Sequence, residues 1–296
     1  MASYMNRKWG MQVIIKPRAK DDLREVLQIL AGNCAEEWIY THTGWRKLDN
    51  KWVFFHTNGA VGAANVKVDL SEGGSILTRY VLPTKVEDPK AAVGRAFELL
   101  DIAAPEIAYP LFAAAFFAPL CEVLRPYSLQ SDFMLFLIGR TQSGKSSLAA
   151  LFLSLFGNFD KNNFPANYRQ TANSLERTRF LLKDSMMIVD DFFPEQSHQE
   201  REKMKEIAQR LARAYGDGAV RQRMQGKKLQ EAWLPRGVAI STGEERPEIG
   251  ESGQARFVFI DVKRSDVAYD KLIDLQQNQR IYGEALWCDG SCIELC

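Results

Sequence analysis

The run Gly139-Arg140-Thr141-Gln142-Ser143-Gly144-Lys145-Ser146 has the composition and spacing of a loop that cradles phosphate. Its two glycines let the backbone curl until successive N–H groups point at one anion, and a helix starting there adds its positive pole. Lys145 brings an ammonium to the β- and γ-phosphates, and the Ser146 hydroxyl, followed by Ser147, completes a magnesium shell. About 45 residues later, Met186-Met187-Ile188-Val189 runs into Asp190-Asp191. An apolar strand ending in paired carboxylates can hold magnesium and orient an attacking water. Asp190 is expected to hold the metal, through water, and Asp191 to polarise the nucleophile. The bland alternative is that one aspartate merely caps the turn before Pro194. The expected ligands are ATP and Mg2+, and the chemistry they imply is ATP hydrolysis.

Such groups work only if the elements around them hold them in place. Phe133–Ile138 is an apolar strand leading into the loop, and Gly144–Phe156 reads as the helix leaving it. A short strand near Asn163–Tyr168, a helix at Ala172–Leu182, a strand at Met186–Asp190 and a long charged helix at Ser197–Tyr215 follow. Strands at Val238–Thr242 and Phe257–Val262 and a helix at Asp266–Gln279 complete the pattern. Strands alternating with helices at this spacing predict an α/β fold, a parallel sheet with helices on both faces.

Upstream, Lys20–Leu30 has apolar residues at helical spacing. Trp38–Thr43 and Lys51–Thr57 are aromatic, β-branched runs, and Leu48-Asp49-Asn50 between them predicts a hairpin. Short strands are expected at Val66–Leu70 and Ser75–Val81, then helices at Pro89–Leu100 and Pro105–Leu124. The expected organisation is a small α+β domain over 1–83, a helical connector over 84–130, the phosphate-loop core over 131–265, and a helix and tail over 266–296. His42, Trp45 and His56 lie in or beside the hairpin with no acid or nucleophile paired to them, so packing is their expected role.

Three further features bear on what the core drives. Ser241 and Thr242 end a strand, a suitable place to sense the γ-phosphate, with Thr242 the better candidate; ordinary strand-end hydroxyls are the alternative. Arg256 opens the next strand and could stabilise transition-state charge on a neighbouring subunit's nucleotide, or form a surface salt bridge. Between them, Val220–Gln225 and Lys228–Trp233 would pair as a hairpin carrying Arg221, Arg223, Lys227 and Lys228. Such a basic tip suits phosphate backbones, most simply those of single-stranded DNA, although a solvated basic surface has the same composition.

Composition narrows the classes. With 296 residues, 46% apolar and 25% charged, the chain can bury a real core. A net charge of +1 leaves no overall basic field, so nucleic-acid contact must come from a local cluster. Ile107–Cys121 is uncharged but short for a bilayer and interrupted by Pro110 and Pro119, so a buried helix is expected, with no membrane partner. The N-terminus does not read as a signal peptide, and a cytoplasmic location is expected. Cys34 and Cys121 read as buried thiols; Cys288, Cys292 and Cys296 lack the ligands for a zinc site.

Several of these segments together carry a family resemblance. Tyr40-Thr41-His42-Thr43-Gly44-Trp45, Asn58-Gly59-Ala60-Val61-Gly62, the phosphate loop, Val189-Asp190-Asp191 and Ser241-Thr242-Gly243-Glu244 resemble the domain-of-unknown-function 927 family of bacterial and phage proteins, over about Thr41 to Val262. That resemblance implies a role in replicating a mobile element. The ATPase half also resembles superfamily-three ring helicases of the AAA+ class, which would make Thr242 the sensor, Arg256 the trans arginine and the Lys227–Lys228 tip the DNA grip. It implies a homo-oligomeric ring, for example a hexamer. Such helicases commonly place asparagine where this chain has Thr242. A reading of another class is a nucleotide-gated switch with slow turnover and a protein partner.

Overall fold

The computed structural model describes residues 19–32, 37–83, 85–193, 197–218, 224–225, 228–229, 233–277 and 282–286. The chain divides into two compact units, Met1–Trp38 and Ile39–Cys296. In the first, helix α1 (Ala19–Ala31) carries Asp21 and Asp22 in its first turn, where carboxylates meet the positive pole of the helix.

The second unit opens with β1 (Ile39–Tyr40), β2 (Gly44–Leu48), β3 (Lys51–His56), β4 (Gly59–Val61) and β5 (Lys67–Val68). Strands β2, β3 and β4 form an antiparallel sheet, whereas β1 pairs in parallel with β5. The expected hairpin exists, but its first strand is Gly44–Leu48 rather than Trp38–Thr43. Asp49 and Asn50, at φ +45° and +68°, turn the chain in two residues, so the partner of Lys51 is Leu48. A second expectation also fails: Ser75–Val81 is not a strand but a 3-10 turn over Ser75–Arg79, where the Thr78 hydroxyl donates to the Ser75 carbonyl at 2.7 Å. The Tyr80 hydroxyl then reaches the Met186 carbonyl at 2.8 Å, pinning this turn to the core.

Helices α2 (Pro89–Phe97) and α3 (Pro105–Phe117) follow, the first capped by Asp88, whose carboxylate accepts from the Ala91 N–H at 3.0 Å. The remaining elements are β6 (Met134–Ile138), α4 (Lys145–Leu153), β7 (Ala166–Asn167), α5 (Ala172–Leu181), β8 (Ser185–Phe192) and α6 (His198–Gly216). Strands β9 (Met224–Gln225) and β10 (Lys228–Leu229) pair antiparallel, and β11 (Gly237–Gly243), β12 (Phe257–Asp261) and α7 (Tyr269–Gln277) complete the fold. The fold is α/β: a five-stranded sheet in the order β12-β6-β11-β8-β7, every pair parallel, with helices packed on it. Each residue of β6 and β11 is buried, as central parallel strands covered on both faces must be. The segment Pro105–Tyr127 has the length and apolar composition to cross a bilayer, more than its uncharged stretch suggests. One face of its first helix, α3, packs in the core, with Ile107, Ala108, Leu111 and Ala115 buried and contacts to β8, β11, β12 and α4, while Tyr109 and Leu120 are exposed.

One continuous core runs from Val53 and Phe55 through the sheet to Leu275. The β2 hairpin is fastened to it at the amino edge of the sheet. The Trp45 N–H donates to Asp184 Oδ2 at 2.7 Å, and the Arg236 guanidinium bonds the same oxygen at 2.6 Å, the Trp45 carbonyl at 2.7 Å and Glu122 at 2.8 Å. The backbone comes so close that a Cβ on Gly44, at φ +92°, would lie 2.5 Å from the Asp184 carboxylate and the Lys183 carbonyl. His42 and His56 sit beside this junction as packing residues. His42 donates to the Thr43 carbonyl at 2.8 Å, and His56 accepts from the Asn58 N–H at 3.3 Å.

Burial lowers both imidazoles from 6.5 to about 4, with Lys183 adding to the effect at His42. The unfolded chain therefore binds more protons between those values, and stability falls as pH drops from 6.5 through about 4. Thermal melts across that range should show the loss, at most about 1.4 kcal/mol per pH unit for each imidazole. His56→Asn should flatten the slope; a slope unchanged in that variant would contradict the assignment.

Candidate active site

The phosphate loop starts where the buried β6 ends. The Gly139 N–H donates to the Gly243 carbonyl at 3.0 Å, so the first residue of the loop is fixed to the central strand β11. The loop then turns through Gln142 at φ +66° and Gly144 at φ +91° before α4 begins at Lys145. No side chain caps α4, and its first turn has no acidic residue, so its amino pole is left for an external anion. Within the loop the Ser143 N–H bonds the Arg140 carbonyl at 3.0 Å, and Lys145 Nζ lies 3.5 Å from that same oxygen. The Ser143 hydroxyl is buried, without a hydrogen-bond partner among the described residues, against Gly139.

Beneath the loop, the carboxyl ends of three strands meet. Asp190 accepts from the Ser146 hydroxyl at 3.1 Å and from the Thr242 hydroxyl, both at Oδ1. Thr242 in turn accepts the Asp191 N–H at 3.2 Å. The ladder between β8 and β11 is bulged here: Ser241 faces Val189 and Gly243 faces Phe192, so Asp190 and Asp191 together oppose Thr242. The extra residue turns Asp191 to φ +70° with its side chain exposed, while Asp190 is partly buried. Burial raises the Asp190 carboxyl above the ordinary range, and the Thr242 and Ser146 hydroxyls oppose that shift. Thr242 is fully buried and already bonded to Asp190, so in this state it positions a carboxylate.

A cleft of about 410 Å³ opens over the loop, lined by Gln142 to Ser147 and by Lys161, Arg264 and Tyr269. The Tyr269 hydroxyl donates to the Gln142 carbonyl at 3.1 Å, and the Arg264 guanidinium lies 5.2 Å from the Tyr269 ring centre. The Arg264–Asp266 turn that carries this wall is strapped to the start of α3: Ala104 N–H donates to Asp266 at 2.8 Å, and Ala268 N–H to Ile102 at 2.8 Å. Arg140 and Thr141 lie on the exposed rim, where the Thr141 hydroxyl donates to Glu244. These groups fit a nucleoside triphosphate with magnesium. Loop N–H groups and Lys145 suit phosphate, and a hydroxyl beside one carboxylate suits a small oxygen-liking cation that keeps its waters.

Arg256 is not brought to this cleft. It precedes β12, at the end of the sheet opposite the loop, and its guanidinium pairs with Asp217 at 2.5 Å. A five-residue strand spans about 16 Å, so Arg256 cannot serve the phosphate site of its own chain. Of the basic hairpin, Arg221, Arg223 and Lys227 lie outside the described residues, and Lys228 begins β10.

A family model described as "Domain of unknown function (DUF927)" matches residues 7–230. The chain belongs to the DUF927 family. The match takes in the phosphate loop and Asp190-Asp191 and stops before Ser241-Thr242-Gly243-Glu244, so those four residues lie outside it. No curated protein matches. Among solved structures, one described as "SCCmec type IV Cch - active helicase" superposes with a TM-score of 0.55 at 16% identity, over 96% of this chain and 51% of that one. The JCV helicase with bound inhibitor gives 0.40 at 17% identity, over 68% and 53%. The apo C-terminal region of NrS-1 gives 0.37 at 12% identity, over 90% and 60%. The DUF927 chain thus spans about half the length of the Cch structure, and at this identity the likeness is one of fold.

Tyr269, Arg264 and Lys161 are the lining residues that motif reasoning missed. Tyr269 and Gln142 are 127 residues apart, and no spacing signal joins them. Thr242→Val keeps the volume but removes the proton held by Asp190. It should lower turnover about ten- to hundredfold with nucleotide affinity little changed, and equal turnover would refute the positioning role. Gly144→Ala would strain a left-handed position and bring a Cβ 2.9 Å from the Tyr269 hydroxyl. Titration with a fluorescent ATP analogue should find its affinity at least tenfold weaker, with the circular-dichroism spectrum unchanged.

Proposed function

We propose that this DUF927 protein is an ATP-hydrolysing DNA helicase or translocase that acts in the cytoplasm as a homo-oligomeric ring and serves replication of a mobile element or phage. The observation that carries the reading is the junction of Ser146, Asp190 and Thr242 beneath a phosphate loop. Paired with the α4 amino pole, it is a site built for a metal-bound triphosphate rather than for an anion alone. The helicase likeness of the fold and the basic composition of residues 219–236 support DNA as the target.

In this mechanism the loop N–H groups and Lys145 hold the β- and γ-phosphates, with Ser146 and Ser147 at the head of α4. Ser146 and Asp190 would hold magnesium, which when bound neutralises phosphate charge as the terminal bond breaks. Thr242 keeps the Asp190 carboxylate oriented, and the exposed Asp191 polarises the attacking water. Arg256, directed away from its own site, completes the site of the next subunit by stabilising transition-state charge. Leaving Asp217 for that neighbour is the step that makes turnover depend on assembly. The hairpin residues Arg221, Arg223, Lys227 and Lys228 grip the strand.

The test is sizing with and without ATP and single-stranded DNA while turnover is measured. A ring and DNA-stimulated hydrolysis are expected, with turnover at least about a hundredfold lower in Lys145→Ala. Arg256→Ala should be inactive alone and recover partly when mixed with Lys145→Ala, because each subunit supplies what the other lacks. An assembled protein whose hydrolysis ignores DNA would overturn the helicase reading and favour the nucleotide-gated switch.

A further inference from the structure

At the amino edge of the sheet, away from the phosphate loop, the described residues enclose a recess of about 600 Å³. Phe180 in the last turn of α5 and Lys183 of the α5–β8 connection form one side, Arg125 another, and Leu234 and Arg236 border it where the chain rejoins the fold after residues 219–232. Its charges are unevenly matched. Arg236 is held by Glu122 and Asp184, Arg125 shares Glu122 at 3.2 Å, and Asp217 is paired with Arg256. Lys183 has no carboxylate at ion-pair distance among the described residues; its ammonium lies 4.8 Å from the Phe180 ring centre. Phe180 is itself stacked with Trp233, with centroids 5.3 Å apart and planes 17° from parallel.

A partly buried ammonium without an ion-pair partner is costly: burial, then Arg236, push Lys183 down to about 8, with Asp184 and Glu122 opposing the shift only in part. An anion entering the recess would restore its partner. Cations beside stacked aromatic rings are the surface that single-stranded nucleic acid selects, because phosphates and base faces are met together. An acidic peptide would supply the charge but make no use of the rings. The recess also borders both roots of the segment rich in arginine and lysine, at Gly218 and Leu234.

We propose that this recess binds a phosphodiester of single-stranded nucleic acid, with Lys183 as the charge anchor and Phe180, backed by Trp233, beside the bases. The inference rests on the DNA-motor reading and adds a second contact point to it. The placement couples readily to hydrolysis: β8 and β11 begin at the recess, next to Lys183 and Arg236, and end at Asp190 and Thr242.

Fluorescence anisotropy of labelled oligo-dT, repeated over a salt series, tests it. Lys183→Met should weaken binding about three- to tenfold and reduce the salt slope by about one, the loss of a single phosphate contact. Lys183→Arg, which keeps the charge, should hold the wild-type slope. Unchanged affinity and slope in Lys183→Met would overturn the site, as would an equal loss in Lys183→Arg, which would mark a packing effect. Polyglutamate displacing the probe as well as unlabelled oligo-dT would overturn the assignment to nucleic acid. Wild-type protein that binds no oligo-dT would defeat the DNA-motor reading along with this one, whereas normal wild-type binding with an unaltered variant defeats this one alone.

Discussion

Oδ1 of Asp190 receives two hydroxyl protons, one from the head of α4 and one from the end of β11, while its own residue sits on β8. Each donor arrives from a different element, so the junction forms only when those elements stand in the right register. Side chains alternate along a strand, and a slip of one residue in β8 would turn Asp190 to the opposite face. The register is set at the other end of the strand, where Gly237 faces Ser185, and it holds until the bulge at Asp190-Asp191. The site therefore depends on alignment fixed a full strand length away.

That distant alignment is where the β2 hairpin contributes. Gly44 and Trp45 meet Asp184 immediately before β8, and Arg236 lies immediately before β11. The buried carboxylate of Asp184 thus ties together the starts of the two strands whose ends form the candidate site. Its burial, which pushes its carboxyl up to about 7, is opposed by Arg236 and by the Trp45 N–H. Removing either donor would leave a poorly matched buried charge.

Much of the site was legible because its signals are local. The phosphate loop is a contiguous run, Asp190-Asp191 ends an apolar strand, and β6, β8 and β11 each read as continuous apolar segments. What escaped was whatever depends on distant partners. Tyr269 and Arg264 are ordinary residues until α7 folds back over Gln142. Trp38–Thr43 looks like a strand, yet Thr43 is drawn to the Leu181 carbonyl, and pairing with β3 starts at Gly44. Ser75–Val81 alternates acceptably for a strand, but Gly74 at φ +107° and the Thr78 hydroxyl close it into a turn. Thr242 reads from the sequence as a strand-end hydroxyl, and its bond to Asp190 depends on a neighbour 52 residues earlier.

The hairpin clamp also has a bearing on how the chain is made. Trp45 meets Asp184 139 residues later and Arg236 191 residues later. At a synthesis rate of about 5–20 residues per second, the hairpin emerges from the ribosome roughly 7–30 s before Asp184 exists to receive it. During that interval Val53 and Phe55, which are buried in the core of the finished fold, lack the later strands that share that core. The nascent chain thus carries a hairpin with one uncovered apolar face through much of its elongation. Contacts this distant in sequence are slow to close, and the junction beneath the phosphate loop forms within the same fold.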